Sequence, residues 1–211
     1  MRAVRIPLGK RGEGIVEAAG MLASGKIVAF PTDTVYGLGA RLDRPEAVKA
    51  LYRAKGRPEG RPIPVLVSSA SEVYQLAAEV PRWAEELMRR FFPGALTIVL
   101  RTAEWVPQEV TAGSGKVGVR MPDCATALEL IRQCGGALAV TSANPSGGPE
   151  AVSADEVLAS LGSAIDAVLD GGRCTGGLPS TVVDLCGDKP VLLRQGALPL
   201  DEIASVLPEI A

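Results

Sequence analysis

Lys55, Arg57 and Arg61 fall within seven residues of the segment KGRPEGRP, separated by glycine and proline. Proline and glycine oppose a helix, so the segment reads as a loop that displays three cations and can bring them onto one anion. A solvated run of charge is the plain alternative. Other groups able to handle charge recur beside glycine or proline where apolar stretches end. They are two threonines, Thr34 among them, in PTDTVYGLGA (31–40), Arg120 in GVRMP (118–122), Ser142 and Asn144 in TSANPSGG (141–148), Ser180 in PST (179–181) and Arg194 in LRQG (193–196). Hydroxyls, amides and arginines repeated at strand ends predict a cleft lined by donors for a polyanionic ligand.

Missing residue types narrow the chemistry further. The 211 residues include no histidine, which excludes Ser-His-Asp and Cys-His nucleophilic catalysis, HExxH zinc hydrolysis and histidine ligation in general. Cys124, Cys134, Cys174 and Cys186 form no CxxC pair and read as buried free thiols, with an all-thiolate zinc site of unusual spacing as the other option. Gly113-Ser-Gly115-Lys-Val-Gly118 matches GxGxxG but leads into an apolar strand, whereas the dinucleotide fingerprint follows a strand and opens a helix. Gly115-Lys116 also fails as the end of a P-loop, because Val110 stands where the first Gly is required and Val117 where Ser or Thr is required. A flexible loop carrying Lys116 is what remains.

A net charge of −2 and a pI of about 5.4 confine any basic site to a local patch. Arginine outnumbers lysine 16 to 6; arginine forks onto carboxylates and phosphates, although GC-rich codon usage gives the same ratio. No apolar stretch approaches the ~20 residues of a membrane span. The N-terminal MRAVRIPLGKRGEG lacks the apolar core of an export signal, so a cytoplasmic protein with no membrane partner is expected.

These groups need a scaffold. Apolar, β-branched stretches at 26–30, 63–67, 96–100, 117–121, 137–141, 167–169, 181–185 and 191–194 read as strands. Helical periodicity covers 14–23, 45–54 after Asp43 as cap, 82–92, and 125–134 after Asp123 as cap and before Gly135-Gly136 as stop. Ser69-x-x-Glu72 and Ser153-x-x-Glu156 have the form of capping boxes. Alternating strands and helices predict an α/β fold, an open twisted mixed sheet with helices on its faces. The turn Gly187-Asp188-Lys189-Pro190 makes the last two strands an antiparallel pair. No linker or repeat divides the chain, so a single domain over 1–211 is expected, with a core of about 14–196 and a terminal helix of about 201–207.

Taken together and in order, PTDTVYGLGA, Lys55-x-Arg57, Ser142-x-Asn144, Ser180-Thr-Val-Val-Asp184 and Leu193-Arg-Gln-Gly196 resemble the YrdC-type threonylcarbamoyl-AMP synthases over residues 14–196. The resemblance implies a YrdC-like fold with a deep cationic cleft, of the short form without a second C-terminal domain. It also implies condensation of L-threonine, bicarbonate or CO2, and ATP into threonylcarbamoyl-AMP and pyrophosphate, the activated intermediate of tRNA threonylcarbamoyladenosine. By position it gives Thr34, Arg120 and Ser180 to L-threonine. To ATP it gives Lys55, Arg57, Arg61, Ser142, Asn144 and Arg194, with the backbone near Val140 and Glu150 and the side chain of Lys116 as further candidates. Lys55 and Arg57 are the implied catalytic cations. Leu66 and Cys124 stand where many relatives carry histidine.

The chemistry suits a chain without histidine. An amine and CO2 form a carbamate without an enzymatic acid or base, and attack of that carbamate on the α-phosphorus needs alignment and charge stabilisation, which cations, hydroxyls and a metal supply. Mg2+ is expected with the ATP, held chiefly by phosphates and waters. Expected partners are a downstream tRNA threonylcarbamoyl transferase complex and, weakly, tRNA itself. The alternative is an RNA-binding module using the same cleft without catalysis; the acidic pI, an aromatic content of 4% and the lack of RNP-like alternation speak against it. A different carbamoyl-adenylate chemistry on the same fold is a further option.

Overall fold

The computed structural model describes residues 2–210. In chain order the elements are β1 Val4–Pro7, α1 Glu13–Ala23, β2 Val28–Phe30, β3 Gly37–Arg41, α2 Pro45–Lys55, β4 Val65–Val67, α3 Val73–Leu76, α4 Arg82–Phe91, β5 Leu96–Arg101, α5 Gln108–Thr111, β6 Lys116–Arg120, α6 Ala125–Gln133, β7 Ala137–Ser142, α7 Ala154–Leu161, β8 Ala167–Asp170, β9 Thr181–Asp184, β10 Val191–Arg194 and α8 Leu200–Ala204. Among the described residues ten strands join one sheet in the order β1-β8-β2-β3-β7-β4-β6-β5-β9-β10. Parallel pairs (β1 with β8, β8 with β2, β4 with β6, β5 with β9) mix with antiparallel ones. The expected β9–β10 hairpin is antiparallel, as its turn requires.

Two strands escape the sequence pattern. β1 is a four-residue edge strand in which Ile6 alone is buried. β3, with the sequence GLGAR, carries two glycines, poor strand formers in general, yet it lies buried between β2 and β7. Those glycines are needed for close packing: a Cβ at Gly37 would lie 2.7 Å from Val140 Cγ1, and one at Gly39 2.8 Å from Phe30. PTDTVYGLGA is therefore half turn and half strand.

Most of the sheet is covered on both faces, which explains its nearly continuous apolar strands. Alternation sends Val28, Phe30, Leu138, Val140, Ala167 and Leu169 to one side, where Ile15, Ala18 and Leu22 of α1 and Ala127, Leu130 and Ile131 of α6 pack on them. Ala29, Leu38, Val65, Ala139, Val168 and Ile98 point to the other, larger core with α2, α4 and α7.

Helix starts differ from expectation in two places. Asp43 does not cap α2, whose N-cap is Arg44; its carboxylate instead accepts both 2.8 Å bonds of the Arg41 guanidinium. Cys124, not Asp123, is the N-cap of α6 and makes no side-chain cap bond. The Ser69–Glu72 capping box is present and opens a short 3-10 turn. Ser153 accepts from the Glu156 amide, but Glu156 reaches back to Val152 N rather than to Ser153.

Candidate functional site

A cleft lies on the α1/α6 side of the sheet, over the strands those helices leave open. Strand ends supply most of its polar residues, Arg120 closing β6, Ser142 closing β7 and Arg194 closing β10, and the sheet register brings them together. Leu66 of β4 stands opposite both Leu138 of β7 and Arg120 of β6, so Val140 and Ser142, two and four residues on from Leu138, share their face. Gly37 stands opposite Ser142. Ile98 opposite Val119 puts Thr97 beside Arg120, and Thr97 opposite Val182 puts Ser180, two residues back, on the same side. Gly37, Leu66, Thr97, Arg120, Val140, Ser142 and Ser180 all line the cleft, joined by Thr34, Arg57, Glu150 and Arg194 from the flanking segments.

Part of the lining is built on Arg120. The Thr32 hydroxyl donates to Val35 O at 2.7 Å and accepts from the Thr34 and Val35 amides, a hydroxyl-closed turn that fixes residues 32–35 after β2. The Arg120 guanidinium, 7% exposed, donates to Thr34 Oγ1 at 2.9 Å, to Asp33 Oδ1 at 2.5 Å and to Gly94 O at 2.9 Å. Three of five N–H groups are thus used and two remain for a ligand. Nearby, the Ser180 and Thr97 hydroxyls share a 2.7 Å hydrogen bond. A cation flanked by hydroxyls suits a small carboxylate.

The lining also carries Arg57, Ser142, Glu150 and Arg194, the last of which lies against Ser180, its Nη2 3.3 Å from Ser180 Oγ. Arg57 donates to Arg61 O at 3.2 Å and Pro62 O at 2.8 Å, which shapes the 57–62 loop around it. Arg194 donates to Ser180 O through Nε at 3.1 Å and Nη2 at 2.7 Å. That approach requires Gly196, where a Cβ would lie 2.3 Å from Pro179 O. Burial lowers the pKa of both arginines, and they remain cations at neutral pH. Glu150 Oε2 is buried without a hydrogen-bond partner.

Several expected site residues sit elsewhere. Lys55 is not displayed from a loop: it is the last residue of α2, which Gly56 ends at φ 59, and its side chain is buried. Its Nζ donates to Ser142 O and Asn144 O and lies 3.2 Å from Asn144 Oδ1, so its three donors hold the loop after β7 rather than facing the cleft. Asn144 is drawn into the same support, its Nδ2 donating to Gly148 O at 2.7 Å. Burial pushes the Lys55 ammonium down to about 8. Arg61 has an exposed side chain and contributes only its carbonyl. Lys116 is the first residue of β6 and pairs with Asp184 at 2.7 Å, outside the cleft lining. Leu66 lines the cleft directly, whereas Cys124 Sγ donates to Pro31 O behind it. Asp33, Gly94 and Thr97 were not singled out by sequence; the acid inside PTDT was the available signal for Asp33.

A difference between neighbouring arginines follows. Arg57→Ala is expected to lower kcat/KM for the reaction assigned below by roughly 10²-fold, the scale of losing a preorganised donor to developing charge. Arg61→Ala and Lys116→Ala should each stay within about threefold, as for exposed charges. Equal losses at positions 57 and 61 in parallel steady-state assays would contradict this arrangement.

The Sua5/YciO/YrdC family model, described as telomere recombination, matches residues 20–196. The chain belongs to this family. Threonylcarbamoyl-AMP synthases of Pyrococcus abyssi and Bacillus subtilis are 47% and 43% identical to it; each alignment covers 92% of this chain. The chain spans 57% and 56% of their lengths, little more than half of each. Among solved structures, Pyrococcus abyssi Sua5 complexed with L-threonine superposes with a TM-score of 0.94 at 43% identity, covering 100% of this chain and 63% of that one. Escherichia coli YciO, at 24% identity and a TM-score of 0.83, shares the fold over 96% of this chain and 98% of its own. The ten-stranded mixed sheet described above is thus the Sua5/YciO/YrdC fold.

Proposed function

We propose that this chain is an L-threonylcarbamoyladenylate synthase, a nucleotidyltransferase that condenses L-threonine, bicarbonate or CO2, and ATP into threonylcarbamoyl-AMP and pyrophosphate. The observation that carries the reading is the convergence of Arg120, Thr34 and Ser180 with Arg57, Ser142 and Arg194 on one cleft. The Sua5 relative complexed with L-threonine supports the first substrate, and the names of the two curated relatives support the product.

In this reading Arg120 pairs with the threonine carboxylate through its two unused N–H groups, and Thr34 and Ser180 hold the amino acid beside it. Arg57 and Arg194 face the triphosphate, with Ser142 and the backbone of Val140 and Glu150 along the nucleotide. Lys55 and Asn144 act by holding the loop that presents Ser142. The carbamate of threonine attacks the α-phosphorus; the new C–O–P bond forms as the bond to the β-phosphate oxygen breaks, and both electrons leave with pyrophosphate. Alignment and charge neutralisation carry the barrier reduction, so no imidazole is required.

Mg2+ fits as a partner of the triphosphate. It would be carried mainly by phosphates and waters and would supply neutralisation of their charge. Downstream, a tRNA threonylcarbamoyl transferase complex takes the activated product. Among the described residues no helix is long and apolar enough to cross a membrane. Incubation with ATP, Mg2+, L-threonine and 13C-bicarbonate should give an AMP adduct of threonine that retains one labelled carbon, read by mass spectrometry. An adenylate of unmodified threonine, or no adduct, would overturn the proposal.

A further inference from the structure

Glu150 Oε2 is the one buried side-chain oxygen or nitrogen among the described residues that lacks a hydrogen-bond partner. Its backbone is fixed next to the cleft, since Tyr36 N donates to the adjoining Ala151 O at 2.8 Å. The side chain lines the cleft together with Arg57, Ser142 and Arg194. Its charge acts on Lys55 and Arg194, yet none of the ion pairs among the described residues includes it. The Lys55 donors are spent on Ser142 and Asn144, and Arg194 is forked onto Ser180 O.

Such a carboxylate is out of place in a cleft for a polyphosphate, because it repels the ligand that the arginines attract. A hard divalent cation removes the conflict: Mg2+ is commonly held by one or two carboxylates plus substrate phosphate oxygens and waters. We propose that Glu150 is the protein's carboxylate ligand for the divalent cation that enters with the nucleoside triphosphate. The inference rests on the ATP-dependent reading given above and adds to it a metal contact by a side chain assigned there only for its backbone. Arg57 and Arg194 then meet the phosphate oxygens that the cation does not take.

Calorimetric titration of ATP into the wild type and Glu150→Gln, each in Mg2+ and in EDTA, tests this. Wild type should bind ATP more tightly with Mg2+, and Glu150→Gln should lose about tenfold to a hundredfold of that metal-dependent gain. In EDTA the same variant should bind ATP at least as tightly as the wild type, because a like charge is gone. Glu150→Asp, which keeps the charge, should retain part of the gain, and thermal melts confirm that both variants are folded. Mn2+ with ATP gives a second readout: its electron paramagnetic resonance spectrum should broaden on wild type and change less on Glu150→Gln. Equal tightening of Glu150→Gln with and without Mg2+ would make the carboxylate an internal counter-ion and overturn the proposal, as would equal weakening in both. Absence of ATP binding by the wild type in either medium would overturn the ATP-dependent reading as well, whereas ATP binding with no role for Glu150 would sink the metal assignment alone.

Discussion

Arg120→Ala is expected to raise the threonine KM by roughly 10²-fold or more, on the scale seen when one partner of a hydrogen-bonded charge pair is truncated, and to leave the affinity for ATP measured alone nearly unchanged. The same variant strands Asp33, whose carboxylate is 15% exposed and meets Arg120 at 2.5 Å. Breaking a buried pair costs about 3–5 kcal/mol, which at this chain length lowers Tm by about 6–20 °C. Arg120→Lys separates the two effects. It keeps a charge for Asp33, but a single ammonium cannot span Asp33, Thr34 and Gly94 and also fork onto a carboxylate. It should therefore recover most of the Tm and little of the threonine affinity. Equal losses for threonine and ATP, moving with Tm, would show that Arg120 is only a brace.

Lys55→Met is expected to lower kcat/KM roughly 10²-fold although the side chain does not line the cleft. Methionine keeps the stem and removes the donors to Ser142 O and Asn144 O, and each buried carbonyl left unpaired costs about 1–3 kcal/mol. The loop that presents Ser142 should loosen, so ATP affinity should fall while threonine affinity holds. The pH dependence has a definite sign. Burial holds the folded-state pKa of Lys55 at about 8, below the ordinary lysine value of about 10.4. Between these values the folded chain binds fewer protons than the unfolded one, so this contribution to stability rises with pH. Urea titrations at a series of pH values should find the gap between wild type and Lys55→Met widening from about pH 8 towards 10. A gap that narrows over that range would contradict the assignment.

The sequence made most strands legible because a sheet covered on both faces must be apolar almost throughout. It hid β3, because what suits Gly37 and Gly39 to a strand is the crowding by Val140 and Phe30, a property of the neighbours. Lys55 was misplaced by a single position, yet that position moves it from a displayed loop to the buried end of a helix, since Gly56 and not Lys55 ends α2. The site residues themselves were visible as hydroxyls and arginines beside glycine and proline. Their geometry was not, because Arg120 and Ser142 end strands two apart in the sheet that meet only through β4, and only strand order and register bring them onto one face. Arg61 shows the limit of spacing as a guide: it shares a segment with Arg57, but the turn that fixes Arg57 uses the Arg61 carbonyl and leaves its guanidinium outside.

Pyrophosphate release from ATP, measured with L-threonine, bicarbonate and Mg2+ present and with each omitted in turn, tests the central claim most directly. Two sets of groups in one cleft that serve two substrates of a single displacement require full dependence on all of them, with bicarbonate supplied in excess over dissolved CO2. Release that falls to background when any one is left out is the predicted result. Release that continues at the same rate without L-threonine would contradict the account.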